Sequence, residues 1–469
     1  MKTFLAIAVS ILLLCRIVPA QTFWPMYGAD REHTSHAKND TLLKPPLQLT
    51  RSIPVKPEEI STDGVIIACA SMHEPANVLE VRDFNSGELI WSFEIPGSSG
   101  SPGVTPAITS SLVLCGSQKA PGLYALDRLT GAQKWFKSIG DLYDRHPVVD
   151  GGYVYIARDS LYCIEIRNGA TKWSYYLPGQ YTPAVDDQNV YVARNVVRAF
   201  DKLAGTLKWE GSACSSSRFS VGDNQLYIIN QDTVIACNKK NGARIWAQAI
   251  PGAEGTAPEI MGTALANGYF CFTVYKNNNQ KGGIYVFNTR DGAPAWHYEF
   301  ASAGAYPPAI ANGVVYCIET NTPYDLYGFD LENGAILMQV TSPSFSYSPI
   351  IAQNQLFVMT QTTIQVFANA GSSVSRPSTA APDAFALQQN HPNPFNAATT
   401  IAYEVAEPCH VTLRIFNVQG EEVAAPVDEQ QERGAYRVVF AGSRLPSGVY
   451  IYQISMKHFT ATKKCTLLR

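Results

Sequence analysis

A repeated eleven-residue pattern, Ala-x-Asp-x-x-x-Gly-x-x-x-Trp, constrains this chain more than any other feature. It spans Ala125–Trp135 and returns at Ala199–Trp209. Five relaxed copies keep the same spacing, and the seven motif glycines are Gly87, Gly131, Gly169, Gly205, Gly242, Gly292 and Gly334. These glycines are 36 to 50 residues apart, which is room for four short β-strands and their turns. The sequence therefore predicts a repeat protein.

Each copy carries the residues of a tight turn between two strands. The acidic or amide side chain can accept hydrogen bonds from turn amides, and glycine supplies the positive φ. The tryptophan ring can wedge between neighbouring sheets. We assign these structural roles to Asp127, Gly131, Trp135, Asp201, Gly205 and Trp209.

A second turn signature lies upstream of each copy and predicts a hairpin between the first two strands of each sheet. The chain contains eight of these first hairpins but only seven copies of the motif. The earliest is Asp63-Gly64 and the latest Gln353-Asn354. The last sheet therefore lacks an outer strand of its own, and residues 45–55 can supply it. Pairing these residues with the last sheet would close the ring and leave no exposed strand edges. We predict an eight-bladed β-propeller over residues 21–370.

The repeat resembles that of the PQQ-like, or quinoprotein-type, propellers. The lead-in Phe23–Thr34 also resembles that of compact members of this family. The family includes pyrroloquinoline-quinone alcohol dehydrogenases and non-enzymatic outer-membrane assembly scaffolds. The resemblance thus implies the fold but not the function, since one fold hosts unrelated activities.

The start of the chain and its charge bear on location and partners. Lys2, the apolar run Phe4–Leu14 and the segment Val18-Pro19-Ala20, which has small residues where a signal peptidase needs them, predict a secretory signal over residues 1–20, cleaved after Ala20. A net charge of -3 gives no basic field for nucleic acid. Nine cysteines remain after the signal, and their strand contexts indicate small buried side chains rather than disulfides.

The chain changes character after residue 370. Residues 371–384 form a polar, proline-bearing linker, and alternating strands follow over residues 385–469. This pattern predicts a small immunoglobulin-like β-sandwich, which makes the whole chain all-β.

The tail resembles the type A C-terminal sorting domain of the type IX secretion system. The entry motif is Asn390, Pro392, Asn393, Pro394, Phe395 and Asn396, although Ala397-Ala398 replaces the usual Pro-Ser/Thr. The resemblance implies Sec export followed by passage through the type IX machinery, which would be a partner of this domain. We therefore expect a secreted or cell-surface protein.

The sequence contains no catalytic motif that we recognise. Quinoprotein enzymes hold PQQ over a tryptophan floor, often beneath a vicinal disulfide, but this chain has no Cys-Cys pair and its tryptophans are used by the repeat and the lead-in. His33 and His36 are interpreted as solvated rather than as metal ligands. We expect no cofactor and no metal, and whether the protein is an enzyme stays open.

The inner strands suggest where a ligand could bind. Aligning the blades places five arginines and tyrosines at the channel mouth, namely Arg145, Tyr181, Arg218, Tyr306 and Tyr347. Such side chains combine a flat face with hydrogen-bond donors and suit a peptide, a glycan or an anionic ligand. The leading hypothesis is a monomeric, non-catalytic binding protein for an extracellular peptide, protein or glycan. Two alternatives remain: the tyrosines pack on neighbouring blades, or the propeller is a degenerate PQQ-dependent oxidoreductase or a hydrolase.

Overall fold

The computed structural model contains two compact units, Met1–Ser372 and Ser373–Arg469. It describes residues 26–468 except 73–75, 100–103, 143, 179–181, 254, 256, 277–280, 322–323, 343, 370–384, 391–392, 394, 396–397, 432–433 and 442–444. The predicted signal and linker lie outside the described residues. Among those described, every regular element is a β-strand, and none is a helix long and apolar enough to cross a membrane.

The strands described in the first unit form eight antiparallel sheets. The first four sheets are β2–β5 (Glu59–Thr62, Ile66–Ser71, Val78–Asp83, Leu89–Glu94), β6–β9 (Ala107–Ile108, Leu112–Cys115, Gly122–Asp127, Gln133–Ser138), β10–β13 (Val148–Asp150, Tyr153–Ala157, Ser160–Glu165, Thr171–Tyr176) and β14–β16 (Ala184–Val185, Asn189–Asp201, Leu207–Cys214).

The other four sheets are β17–β20 (Ser220–Val221, Gln225–Asn230, Thr233–Asn238, Arg244–Ala249), β21–β24 (Glu259–Ala266, Tyr269–Tyr275, Gly283–Asn288, Pro294–Glu299), β25–β28 (Ala309–Ala311, Val314–Ile318, Leu326–Asp330, Ile336–Val340) and β1 (Leu47–Pro54) with β29–β31 (Phe345–Ala352, Gln355–Thr360, Thr363–Asn369). The fourth sheet has three strands because β15 is continuous: its first half pairs with β14 and its second with β16.

The first strands of the sheets are neighbours in chain order. Strand β17 contacts β14 and β21, β25 contacts β21 and β29, and β29 returns to β2. Strand β1 pairs antiparallel with β31, from Leu47 opposite Asn369 to Pro54 opposite Thr363. The last sheet thus contains strands from both ends of the unit.

Tryptophan and glycine join successive sheets. Six rings lie against the motif glycine of the following sheet, in the pairs Trp91–Gly131, Trp135–Gly169, Trp173–Gly205, Trp209–Gly242, Trp246–Gly292 and Trp296–Gly334. Between the last sheet and the first, Ile53 of β1 lies against Gly87 instead. Each motif glycine has a positive φ, and Asp127 and Asp201 each accept hydrogen bonds from two turn amides.

The nine cysteines after the signal are all described, buried and free, as the sequence predicted. Seven of them lie in the hydrophobic clusters of the first unit, and Cys409 and Cys465 lie in the core of the second.

The second unit contains two antiparallel sheets around one apolar core. One sheet orders its strands β32 (Ala386–Leu387), β33 (Ala398–Val405) and β36 (Gly434–Ala441). The other orders β35 (Glu422–Gln431), β34 (Cys409–Phe416), β37 (Gly448–Met456) and β38 (Phe459–Leu467). The immunoglobulin-like classification of this sandwich stays a prediction.

The entry motif of the tail is attached to the last two strands. The Asn390 amide donates to the Tyr452 hydroxyl at 2.7 Å, and Asn393 Oδ1 accepts from the Thr466 amide at 2.8 Å. Phe395 is buried in the core. Pro392, Pro394 and Asn396 lie outside the described residues.

Candidate functional site

An N-terminal arm, residues 26–44, passes along the first strands of four sheets and reaches the first turn of the sheet that contains β29–β31. Four backbone amides of these strands donate to arm carbonyls in chain order: Val185 to Arg31 at 2.6 Å, Val221 to Glu32 at 2.9 Å, Leu265 to Thr34 at 2.7 Å and Ile310 to Ser35 at 2.8 Å. At the sheet that contains β29–β31, Asp40 accepts a hydrogen bond from the Asn354 amide at 2.8 Å. The arm therefore lies against the first strands of successive sheets.

Arg31 anchors this arm by charge. Its Nη1 lies 2.5 Å from Asp150 and its Nη2 lies 2.5 Å from Asp187. Asp150 also accepts from Lys202 Nζ at 2.8 Å. Since Asp150 is mostly buried and Asp187 is exposed, the contact with Asp150 contributes more to holding the arm.

Next to the arm is a cavity of about 220 Å³, which we call the channel cavity. Arm residues and residues of several sheets line it together. The charged and aromatic lining residues are Tyr27, His33, Glu59, Asp144, His146, Arg218, Phe219, Tyr306 and Tyr347, and the lining hydroxyl residues are Ser35, Thr105, Ser217, Thr263 and Ser348.

A hydrogen-bond network crosses one wall of the channel cavity. Arg218 donates to the Tyr27 hydroxyl at 2.7 Å and to Asp144 Oδ1 at 2.8 Å. The Tyr27 ring stacks on His146, with centroids 4.1 Å apart and planes 7° apart. Arg218 is therefore held by an anion and an aromatic hydroxyl within the protein.

The same network continues to a second carboxyl group. His146 Nδ1 accepts from the Thr105 amide at 2.9 Å, and the Thr105 hydroxyl donates to Glu59 Oε2 at 2.6 Å. Thr105 therefore connects Glu59, from β2, to the histidine that stacks on the arm.

The two carboxyl groups of the cavity have pKa values shifted in opposite directions. Burial raises the pKa of Glu59 above its ordinary value, and neighbouring His146 and Thr105 only partly oppose this. Burial would also raise the pKa of Asp144, but His146 and Arg218 outweigh it and lower that pKa well below the usual range. Asp144 is thus ionised at neutral pH.

His33 is buried in the cavity wall, so the interpretation of His33 as a solvated residue is wrong. Only 4% of its surface is exposed, because the arm carries it between Tyr27 and Phe219. Burial, together with nearby His146 and Arg218, lowers its pKa to about 3, which makes the ring neutral at physiological pH. His36 is partly buried, and burial followed by the charge of Lys38 lowers its pKa to about 4.

Three lining residues have left-handed backbone conformations. The φ angles are 54° at His33, 56° at Asp144 and 63° at Tyr347. Such angles cost free energy in residues other than glycine and concentrate at functional sites, because the surrounding structure must hold them. The channel cavity combines this geometry with its buried polar groups.

A groove of about 380 Å³ adjoins the channel cavity and shares two of its residues. Tyr306 and Tyr347 line both, with ring centroids 6.0 Å apart. Tyr324, Phe345 and Met72 add apolar surface to the groove. An extended ligand could therefore occupy the groove while one end enters the cavity.

The structure brings together three of the five predicted ligand-binding residues. Arg218, Tyr306 and Tyr347 line the channel cavity. Arg145 does not line the channel cavity. Its Nη1 donates to the Asp141 carbonyl at 3.3 Å. Tyr181 lies outside the described residues.

Sequence reasoning missed His33, Glu59, Asp144 and His146. Asp144 and His146 flank the predicted Arg145 in the segment before β10, and they line the cavity where Arg145 does not. Glu59 carried no signal, because one acidic residue at the start of a short strand has no motif around it.

The channel cavity does not fit PQQ. Its volume is below the roughly 300 Å³ at which pockets for drug-sized ligands begin. The six described tryptophans lie on outer strands of the sheets, so none forms a floor in the cavity. The one arginine that lines it is already paired with Asp144. Within the described part of the chain, no group of three or more His, Cys, Asp or Glu side chains could hold a metal ion.

Two family models match this chain. The model described as outer membrane protein assembly factor BamB matches residues 123–337 and 230–376. The model described as secretion system C-terminal sorting domain matches residues 389–467. No curated protein matches the chain in sequence.

Solved structures share the fold at low sequence identity. BamB from Moraxella catarrhalis is 15% identical, with a TM-score of 0.55 over 69% of this chain and 98% of its own. A europium-containing methanol dehydrogenase is 11% identical, with a TM-score of 0.60 over 74% and 98%. The quinohemoprotein alcohol dehydrogenase ADHIIG from Pseudomonas putida HK5 is 11% identical, with a TM-score of 0.58 over 78% and 84%. The predicted all-β propeller class and both resemblances are confirmed.

Proposed function

Since this chain belongs to the PQQ-like repeat family described as outer membrane protein assembly factor BamB, we propose that it is an exported, non-catalytic binding protein. Its ligand is an extracellular peptide, protein or glycan, and the binding site is the channel cavity with the adjoining groove. The observation that carries this proposal is the convergence of Arg218, Tyr306 and Tyr347 on one cavity beside an aromatic groove.

The export route rests on the tail. The sorting-domain match indicates transport to the cell surface or secretion. We assign the type IX machinery as the partner of residues 385–469, with the propeller, residues 21–370, as the monomeric cargo and residues 371–384 as the linker between them.

The propeller itself is proposed to have eight blades. Eight sheets, first strands that are neighbours in sequence order, and the pairing of β1 with β31 support a ring closed by residues 45–55. Such a ring leaves one axial channel, in which the arm and the channel cavity both lie.

The two named types of fold neighbour point to different functions. One neighbour is the assembly factor BamB and another is a dehydrogenase, and at 11–15% identity the likeness shows the fold alone. The geometry of the cavity favours binding, because its arginine is occupied and its volume suits a small group.

An extracellular enzyme is the second candidate. The observation that favours it is the pair of carboxyl groups, Glu59 and Asp144, with pKa values moved apart as in an acid and base pair. A screen of glycoside and peptide substrates with wild type and Glu59→Gln tests it. Turnover that the substitution abolishes would support the enzyme over the binding protein.

A peptide and glycan array tests the binding proposal. Tyr306→Ala and Tyr347→Ala remove aromatic surface from both the cavity and the groove, and should weaken capture of any ligand at least about tenfold. Tyr176→Ala is the matched control, since Tyr176 is 75% exposed on outer strand β13. Ligands that bind all four proteins equally would place the site elsewhere.

Deleting residues 383–469 tests the export proposal. The truncated propeller should fold and stay in the periplasm, because the sorting domain is gone. Release of the truncated protein into the medium would contradict this role of the tail.

A further inference from the structure

The charges of the channel cavity do not balance. Arg218 is its one cationic lining residue of the Lys or Arg type, and Asp144 already pairs with it at 2.8 Å. Glu59 is the remaining acidic residue, and it accepts a hydrogen bond from the neutral Thr105 hydroxyl. With Glu59 as the carboxylate, the Lys, Arg, Asp and Glu side chains of the lining have a formal excess of one negative charge, which disfavours an anionic ligand. Burial raises the pKa of Glu59, so a bound cation would favour its carboxylate form.

The cavity wall also contains a buried acceptor. His33 is 96% buried, and its Nε2 has no hydrogen-bond partner among the described residues. The ring is hydrogen-bonded to the backbone of Pro183, so the other nitrogen, Nδ1, carries the proton that is donated. Nε2 is thus a lone-pair acceptor in a site where leaving a polar atom unpaired costs about 1–3 kcal/mol.

We propose that the channel cavity binds the ammonium group of a primary amine, with Glu59 and His33 Nε2 as its hydrogen-bond acceptors. The alkyl chain passes between Tyr306 and Tyr347 toward the groove, where the rest of the ligand lies. This inference rests on the proposed binding function and names its ligand class.

An ammonium group matches the cavity better than the other ligand chemistries. It brings three donors and one positive charge, which pair with a carboxylate and a neutral imidazole. Tyrosine faces at the mouth attract cations and cover alkyl groups. A sugar hydroxyl could donate to the same acceptors but would leave the negative charge unpaired, and a carboxylate would meet Glu59 directly.

Calorimetric titration of the full propeller and tail tests this with four probes. These are N-acetyl-lysine methylamide, its norleucine analogue, triglycine amide and n-butylamine. The lysine compound should bind at least about tenfold more tightly than the norleucine compound, which has nearly the same alkyl chain without the ammonium. The other two probes distinguish a lysine side chain from a chain N-terminus and from a free amine.

Glu59→Gln should weaken lysine binding about ten- to a hundredfold and leave the norleucine compound unaffected. Its amide oxygen can still accept from Thr105, so the fold is retained. Glu94→Gln removes the same charge from an exposed position of β5 and should change nothing.

Three results would overturn the inference. These are equal binding of the lysine and norleucine compounds, lysine binding that Glu59→Gln does not change, and no binding of any amine. If array peptides or glycans still bind through Tyr306 and Tyr347, the amine assignment fails while the binding function stands. If no array ligand depends on these tyrosines, both fail.

Discussion

The indole of Trp173 lies against Gly205 of the next sheet so closely that a Cβ on the glycine would stand 2.5 Å from Trp173 Cδ2. Trp173 Nε1 also donates to the Lys202 carbonyl at 3.0 Å, in the same turn. One ring thus contacts the turn by packing and by a hydrogen bond. The tryptophan of one repeat therefore packs on the motif glycine of the next repeat and joins the two sheets.

Gly205→Ala should lower the free energy of unfolding by about 2–5 kcal/mol. The φ of 71° costs a residue with Cβ about 1–2 kcal/mol, and displacing the indole adds about 1–3 kcal/mol. Urea denaturation followed by tryptophan fluorescence measures the change.

Gly252→Ala is the matched control for this substitution. Gly252 has a φ of 72°, but an added Cβ meets nothing within 4 Å. Gly252→Ala should lower the free energy of unfolding only by the strain of the positive φ, about 1–2 kcal/mol. Equal destabilisation by the two substitutions would show that the tryptophan contact contributes nothing.

Removal of the N-terminal arm should destabilise the propeller strongly. A variant that begins at residue 39 loses the carbonyls that accept from Val185, Val221, Leu265 and Ile310. Four unmade hydrogen bonds at about 1–3 kcal/mol each predict a loss of at least about 4 kcal/mol. Differential scanning calorimetry measures it, and a variant that begins at Met26 is the control. Unchanged melting of the shorter variant would mean that water replaces the arm without cost.

The buried thiols should be unreactive in the folded protein. Burial raises the pKa of Cys163 and of Cys465 to about 11, so almost no thiolate exists at pH 8. In protein without residues 1–20, Ellman's reagent should titrate no thiol natively and all nine in urea. Ser86→Cys, at an exposed turn position, is the positive control for reagent access. Rapid native reaction of a buried thiol would indicate local opening of its sheet.

The repeat made the sheets predictable, because Asp127, Gly131 and Trp135 form their contacts within one turn or with the adjacent sheet. The cavity was less predictable for a physical reason. His33 is buried through arm hydrogen bonds to strands about 150 to 280 residues later, and no local pattern reports such contacts. The fourth sheet also differs from the expected four strands, since β15 runs through positions where two strands were predicted.

Glu319 has a buried carboxyl group, and its backbone pairs with that of a second acidic residue, Asp325. Glu319 has 0% exposure, and its amide donates to the Asp325 carbonyl at 3.0 Å across the end of β26 and β27. Its Oε1 accepts from the Ser302 amide at 3.1 Å, whereas its Oε2 and Asp325 Oδ1 have no partners among the described residues. Burial raises the pKa of Glu319 above its ordinary 4.5, although the Ser302 hydrogen bonds oppose the shift, and Asp325 adds to the increase.

Glu319→Gln should therefore stabilise the propeller at pH 7, by about 1–3 kcal/mol, because the amide needs no ionisation and can donate to Asp325. A raised folded pKa means that the native state binds more protons than the unfolded state, so wild type loses stability as pH rises above 4.5. The variant lacks this loss, and the difference should grow as the pH rises above 4.5 in urea titrations. Glu299→Gln, exposed on β24, is the control and should show no such trend. A difference that shrinks with rising pH would mean that Glu319 is stabilised as the carboxylate.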